Sequence, residues 1–597
     1  MQRRSSWLTA TIGLLLLASV LAAQLPGSDA ESSLNAGESS LSAARRPNIV
    51  LILTDDHDAV MGGDWCMPHL RSLIAEQGIN FTSYTVNYAI CCPSRSSILT
   101  GACAHNHGVI GAGDLPLGGF SRFVGRELED KIAPLQLQRA GYRTGLIGKY
   151  LNSYVNTSHI PPGWERWFAF TVGDIDCYNY TVSDQGRSVH YGTEEEDYST
   201  DVVKRKALEF IRESQKDGRP FFAYVTPYAT HRPHVPAKRH RGVFTGLQIP
   251  RVPSWNEFDE HVAKKVSFVR NAPHITPEVA RALDFEYQTR AETLLAVDEL
   301  IAELVQALEE TGQLDNTYIF FTGDNGFKLG HHRVPGKISP YENDVRLPFY
   351  VRGPGVPKGL KLDHLVGNID HAPTWLELVG IEDDTAHKLR DGISLVPILR
   401  GDPAVQSDPR RHRVAYLVEK PAASGGVDTL TSILQPPAAD PWDDPFEGYR
   451  PRQNADGSWP HRGKRLPALF PPARFLVLEW EFLLAGIDPS LKGRSFAERL
   501  DERAAKGWAG YLGEIYTGFK IYQQLARAQG IGLDSVVRAA NEEFPTAYHA
   551  IRVHFRDGDR LGKFKLIEFP GGWELYDLHR DPHEVHNIFP EAPRLSA

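Results

Sequence analysis

Residues 48–56 read Asn48-Ile-Val-Leu-Ile-Leu-Thr-Asp55-Asp56, an unbroken run of mostly branched apolar residues that ends in two adjacent carboxylates. A half-buried strand alternates apolar and polar side chains, whereas one with no polar face belongs inside a parallel sheet covered on both sides. Residues 316–322, Asn-Thr-Tyr-Ile-Phe-Phe-Thr, repeat the pattern and lead into Asp324 and Asn325 after a helical periodicity over 292–310. Polar residues just past the carboxyl ends of buried strands are where open α/β sheets place their sites. Strand-like runs at 142–147, 221–226 and 348–352 alternate with helical patterns, which predicts a doubly wound α/β domain over about 47–400.

Outward from that domain the composition changes at both ends. Arg3 and Arg4 precede the apolar run 11–23, which has small residues at Ala22 and Ala23 and is short for a bilayer span, so 1–23 reads as a secretory signal and no stable membrane anchor is expected. Residues 24–46 are rich in Ser, Ala and Gly and read as a flexible leader. Residues 401–597 read as a smaller α+β subdomain, with strand candidates at 550–554 and 563–568. A Pro-rich stretch over 421–475 and helical periodicity over 495–543 make an insertion within it, at about 421–543. Sequons at Asn80, Asn156 and Asn179 agree with a luminal route, secreted or ending in a vacuole or lysosome lumen.

Of the 597 residues 42% are hydrophobic, enough for a large core, and the net charge of -9 comes with scattered Lys and Arg. That leaves no basic stripe for nucleic acid or an anionic membrane. Five cysteines, Cys66, Cys91, Cys92, Cys103 and Cys177, are an odd number for a secreted chain, so one thiol is left over. The other four allow three pairings, or stay as buried thiols.

The densest chemical pattern is Cys91-Cys92-Pro93-Ser94-Arg95-Ser96-Ser97-Ile98-Leu99-Thr100-Gly101. As bare sequence it is a loop entering a helix, with Pro93 and Ser94 as start residues. Asp55, Asp56, Asp324 and Asn325 form an all-oxygen set suited to a hard divalent cation, calcium or magnesium, and poor for zinc. Read blandly, they are strand ends that cap the next helices.

The stretch 91–101 resembles the sulfatase signature Cys-x-Pro-Ser-Arg-x-x-x-Leu-Thr-Gly at every fixed position, and the likeness extends from Asn48 to Ile588. The family fold is alkaline-phosphatase-like, with a doubly wound mixed sheet. The resemblance implies that Cys91 is oxidised to formylglycine during secretion by a formylglycine-generating enzyme. Its hydrate then offers two hydroxyls on one carbon, one to attack sulfur and one to expel sulfate. By the same resemblance, Asp55, Asp56, Cys91, Asp324 and Asn325 hold one calcium ion. Arg95, Lys149 in Gly148-Lys-Tyr150, and Lys337 in Val334-Pro-Gly-Lys337 surround the sulfate. His231, before Arg232-Pro233, protonates the leaving oxygen.

Within the family, His105-Asn-His107, Gly148-Lys-Tyr-Leu-Asn152 and Asn179-Tyr-Thr181 are similar to N-acetylglucosamine-6-sulfatases and to fungal and algal arylsulfatases. The Pro-rich insertion favours an arylsulfatase of the fungal kind, with an aryl sulfate, a sulfated glycan or a phosphodiester as alternative substrates. Many sulfatases carry a histidine two residues past the first lysine, where this chain has Leu151 followed by Asn152. His331 and His332 are candidates for the missing base, and equally for a solvated loop pair.

Overall fold

The computed structural model describes residues 46–588 apart from 113–117, 172–176, 271, 273, 382–388, 408–412, 414, 421–547, 558–559 and 570–571. The signal, the leader up to residue 45, the Pro-rich stretch and the helical part of the insertion lie outside the described residues.

Ten strands form the main sheet: β1 (Asn48–Thr54), β2 (Ile79–Thr85), β3 (Arg143–Gly148), β4 (Arg166–Phe170), β5 (Tyr180–Asp184), β6 (Arg187–Tyr191), β7 (Phe221–Thr226), β8 (Thr317–Gly323), β9 (Phe349–Arg352) and β10 (Leu360–Gly367). Their order is β10-β2-β9-β8-β1-β7-β3-β4-β5-β6. The centre, β8-β1-β7-β3-β4, is parallel. A parallel β10-β2 pair and the antiparallel pairs β2-β9, β8-β9, β4-β5 and β5-β6 complete it, so the sheet is mixed. The run 48–53 is the second strand of a five-strand parallel core and every residue of β1 is buried.

Its side chains point alternately to two cores. Ile49, Leu51 and Leu53 face one that includes Ile98 and Leu99 of α1 (Cys91–Thr100) and Trp375 and Leu376 of the later helix His371–Leu378. Val50 and Ile52 face the other, with Val202 and Phe210 of α2 (Ser199–Asp217) and Leu294, Leu300 and Leu304 of α3 (Pro277–Glu310). Each such side chain removed from water contributes about 1.5–3 kcal/mol, which makes a strand of this composition stable only between two helical layers.

Helix α3 begins well before the periodicity at 292–310. Thr276 caps it through an acceptor to the Val279 N–H, and Pro277 starts its first turn. The added turns pack Leu283 and Tyr287 into a small separate cluster with Met61, Phe327 and Leu329, next to the site.

After the main sheet, β11 (Ala415–Lys420), β12 (Tyr548–Asp557), β13 (Arg560–Phe569) and β14 (Gly572–Asp577) form an antiparallel meander. Tyr416, Ala550, Ile567 and Tyr576 continue the first core, so the two sheets share one apolar interior. All five cysteines are buried, and no disulfide joins two of the described residues. No described helix is long and apolar enough to cross a membrane.

Candidate active site

The ends of four strands, β1, β3, β7 and β8, and the start of one helix meet around Cys91. Thr54 closes β1, and the chain turns at Asp56 with φ 56°, a left-handed conformation that aspartate tolerates. Backbone bonds lock this turn to the segment after β7: Asp55 N–H to Ala229 O at 2.9 Å and Thr230 N–H to Asp55 O at 2.8 Å. Cys91 is the first residue of α1, whose ten residues are all buried and which ends at Gly101 in the left-handed region. The partial positive charge of a helix start therefore lies at residue 91.

Donor atoms of Asp55, Asp56, Cys91 and His231 lie within 4.8 Å of one another. The Cys91 Sγ is 3.5 Å from Asp55 Oδ1 and 3.0 Å from Lys337 Nζ. Burial, then the Asp55 carboxylate, pushes the Cys91 thiol well above its ordinary pKa, so unmodified Cys91 is a protonated thiol and a poor nucleophile. Asp324 Oδ1 accepts from the N–H groups of Asp56 at 3.1 Å and Asn325 at 2.8 Å, and Asn325 Nδ2 donates to Asp56 Oδ1 at 2.6 Å.

Each acid is matched by a cation. Arg95 donates from Nε to Asp324 Oδ2 at 2.7 Å, from Nη2 to Asp55 Oδ2 at 3.3 Å, and from Nη1 to Lys149 O at 2.8 Å. Lys149 bonds Asp55 Oδ2, and Lys337 bonds Asp56 Oδ1 at 2.6 Å. Burial alone would raise both aspartates, but Lys149, His231 and Arg95 outweigh it at Asp55, and Lys337 and His231 at Asp56, so both pKa values are lowered. Burial likewise works against the Lys149 ammonium, and the Asp55 carboxylate overcomes it and raises the pKa.

Lys149 depends on the glycine before it. Gly148 has φ 123°, and a Cβ there would lie 2.0 Å from the Thr226 carbonyl oxygen, the same atom that accepts the Lys149 N–H at 2.9 Å. Only a glycine lets β3 pass β7 this closely and deliver the lysine.

His231 presents Nε2 3.7 Å from Asp56 Oδ2, while its Nδ1 is 2.7 Å from the Arg232 carbonyl oxygen. A carbonyl only accepts, so Nδ1 carries a hydrogen and Nε2 is the atom that faces the cluster. His234, its near neighbour, is turned away: Nδ1 bonds Thr230 O and Nε2 lies 3.1 Å from Glu286 Oε1.

The nine residues singled out in the sequence thus converge. Other contributors were missed. Ser94 Oγ bonds Asp324 O and accepts from Asn368 Nδ2 at 2.9 Å, tying the signature to the β8 end. Arg290 of α3 donates to Asp56 O and Asp58 Oδ1, both at 2.8 Å, and braces the turn from beneath. The Thr276-Pro277 start was the signal that α3 reached this far.

His331 and His332 are not a solvated pair. Both are buried, and burial above all holds both pKa values well below the ordinary range. His332 Nδ1 is committed to Glu257 Oε1 at 2.5 Å and Lys265 Nζ at 3.0 Å, and its ring stacks on Tyr341. Leu151 is core, and Asn152 Oδ1 is a buried acceptor with no hydrogen-bond partner among the described residues. A second group of potential metal ligands, Cys103, His105 and Glu419, has a simpler account: Glu419 Oε1 takes the His105 N–H at 3.1 Å and Nδ1 at 2.7 Å.

The donors fit a hard cation. Three carboxylates converge with Asn325, whose Oδ1 is buried and has no hydrogen-bond donor among the described residues. The charges of Asp55, Asp56 and Asp324 are cancelled by Arg95, Lys149 and Lys337. A divalent ion would leave the site net positive, as an anionic substrate requires.

Residues 47–381 match the family model described as Sulfatase. The chain is 39% identical over 366 residues to human N-acetylglucosamine-6-sulfatase, covering 60% of this chain and 65% of the relative. It is 32% identical over 412 residues to an arylsulfatase of Volvox carteri, covering 62% of each. The matched part is thus just under two thirds of the length of these relatives. A solved structure described as a complex with its substrate D-glucosamine-2-N,6-O-disulfate superposes with a TM-score of 0.56 at 21% identity, over 92% of this chain and 94% of the other. A phosphonate monoester hydrolase from Silicibacter pomeroyi gives 0.55 at 20%, over 92% of each. At such identities these two matches speak for the fold alone.

Proposed function

The chain belongs to the sulfatase family, and from that premise we propose that it hydrolyses a sulfate ester at the Cys91 cluster, with residue 91 oxidised to formylglycine and one calcium ion bound. The observation that carries the reading is the position of residue 91: first in a buried helix, 3.0 Å from Lys337, 3.5 Å from Asp55, and within the same 4.8 Å group as His231.

Asp55, Asp56, Asp324, Asn325 and the residue-91 oxygen would hold the ion, which when bound acts as a Lewis acid on a sulfate oxygen and favours the ionised hydroxyl. The hydrated aldehyde supplies two hydroxyls on one carbon, one for attack and one for release. The chain's own side chains do the rest. Lys337 and Lys149 flank the ester and stabilise charge as it spreads over the sulfate oxygens, and Arg95 holds Asp55 and Asp324 in register. His231 gives its Nε2 proton to the departing oxygen while Nδ1–H stays on the Arg232 carbonyl.

For the substrate we infer a glycan 6-sulfate of N-acetylglucosamine type first, because relatives named N-acetylglucosamine-6-sulfatase match at 39% and 38% identity. An aryl sulfate is the second reading, supported by the algal arylsulfatases at 32%. Passage through the secretory pathway and modification by a formylglycine-generating enzyme belong to the same proposal, as does the division into a catalytic domain at 47–400 and a smaller one after it. The test is sulfate release from N-acetylglucosamine 6-sulfate and from nitrocatechol sulfate by the secreted chain and its Cys91→Ala form. Turnover confined to the unmutated chain supports the reading, the faster substrate names the class, and equal turnover by both proteins refutes it.

A further inference from the structure

Tyr228 stands three residues before His231 in Thr226-Pro-Tyr-Ala-Thr-His231, and its ring is buried, 4% exposed. A buried tyrosine hydroxyl needs a polar partner. Here that partner is the imidazole of the site: Tyr228 Oη lies 2.7 Å from His231 Nδ1, with the ring centroids 4.8 Å apart. The same ring carries the Lys149 ammonium 5.1 Å from its centroid. One side chain therefore touches both the proposed proton donor and a proposed sulfate-binding cation.

We propose that Tyr228 is a positioning residue for leaving-group protonation: with the Arg232 carbonyl it holds the Nδ1–H of His231, and so fixes which nitrogen, and which direction, serves the substrate. This rests on His231 being the acid. The Nδ1 hydrogen faces two acceptors, Tyr228 Oη and Arg232 O, each at 2.7 Å. Losing one leaves the ring freer to rotate away from the leaving oxygen. In the step itself the oxygen of the ionised residue-91 hydroxyl forms a bond to sulfur as the bond from sulfur to the alcohol oxygen breaks. The alcohol oxygen keeps the electron pair and takes the Nε2 proton, and a neutral imidazole remains with its Nδ1–H in place.

Protonation matters little when the leaving oxygen is already stable as an anion and greatly when it is an alkoxide, which gives a readout that a purely structural role would not move. The experiment compares kcat of the full secreted chain and of Tyr228→Phe on aryl sulfates from 4-nitrophenyl to unsubstituted phenyl and on N-acetylglucosamine 6-sulfate, with His231→Ala as reference. Tyr228→Phe keeps the ring under Lys149 and should fold normally, which its melting temperature checks. We expect it to slow the poorest leaving group it turns over by at least tenfold more than 4-nitrophenyl sulfate, with KM little changed. His231→Ala should show the same bias more strongly. Equal losses across the series for Tyr228→Phe, or none, while His231→Ala keeps the bias, overturn the role of Tyr228. Absence of the bias in His231→Ala overturns the acid assignment beneath it.

Discussion

The Lys337 ammonium lies 3.0 Å from the Cys91 sulfur and 2.6 Å from Asp56 Oδ1, bridging the proposed position of attack and an acid of the candidate metal set. A cation so placed stabilises charge that develops on sulfate only as the reaction proceeds. Lys337→Met should therefore lower kcat by about 10²–10³-fold, the range for removal of one preorganised donor. Steady-state kinetics checks this, with circular dichroism in calcium buffer showing an unchanged fold. A variant that loses affinity for substrate but keeps its kcat would contradict the placement.

Asp55, Asp56 and Asp324 are buried together, and their neutralising partners come from three separate segments. Chelation should abolish turnover and lower the melting temperature, because a ligand bound only by the folded state adds stability. Added calcium should restore both. A scanning-fluorimetry series against free calcium reads the effect directly, and a melting temperature indifferent to calcium would count against the site.

Gly148→Ala should be among the most damaging small substitutions in the chain. The new methyl would sit 2.0 Å from backbone oxygen at Thr226, and φ is 123°. The expected cost is about 2 kcal/mol or more, read by denaturant unfolding, together with a raised KM as Lys149 is displaced.

Glu584 gives a pH prediction far from the chemistry. Burial, and the nearby Glu342, raise its carboxyl to about 7 against the pull of Lys565, which lies 2.8 Å away. Lys265 Nζ also bonds its backbone oxygen at 2.6 Å. A carboxyl whose folded pKa is raised contributes stability that is complete below its unfolded value, about 4.3, and is lost as pH rises through the folded value. Between pH 5 and 7.5 the melting temperature of the parent should therefore fall relative to that of Glu584→Gln. The comparison is needed because His331 and His332, buried with lowered pKa values, pull stability the opposite way.

What could be read from the chain, and what could not, follows from how local each cause is. Asn48–Thr54 declares a doubly covered strand in seven residues, and Cys91 to Gly101 carries its own spacing, so the sheet centre and the placing of residue 91 at the start of a helix were legible. The first half of α3 was not, since Leu283 and Tyr287 pack into a cluster with Met61, Ile249, Phe327 and Leu329 from other segments. The burial of the histidine pair was not legible for the same reason: His332 is covered by Tyr341 and held by Glu257 and Lys265, and that lysine is anchored by the Glu584 carbonyl, 319 positions further along. Tyr228 lies three residues before His231 in the sequence, yet only the fold of the loop turns its hydroxyl back to His231.

Residue 91 is proposed to act as an aldehyde hydrate rather than as a thiol, and the mass of the Cys91 peptide from secreted protein that turns over a sulfate ester decides between the two. Formylglycine is expected at that position in the active protein, in proportion to specific activity. An intact cysteine in fully active protein would contradict it.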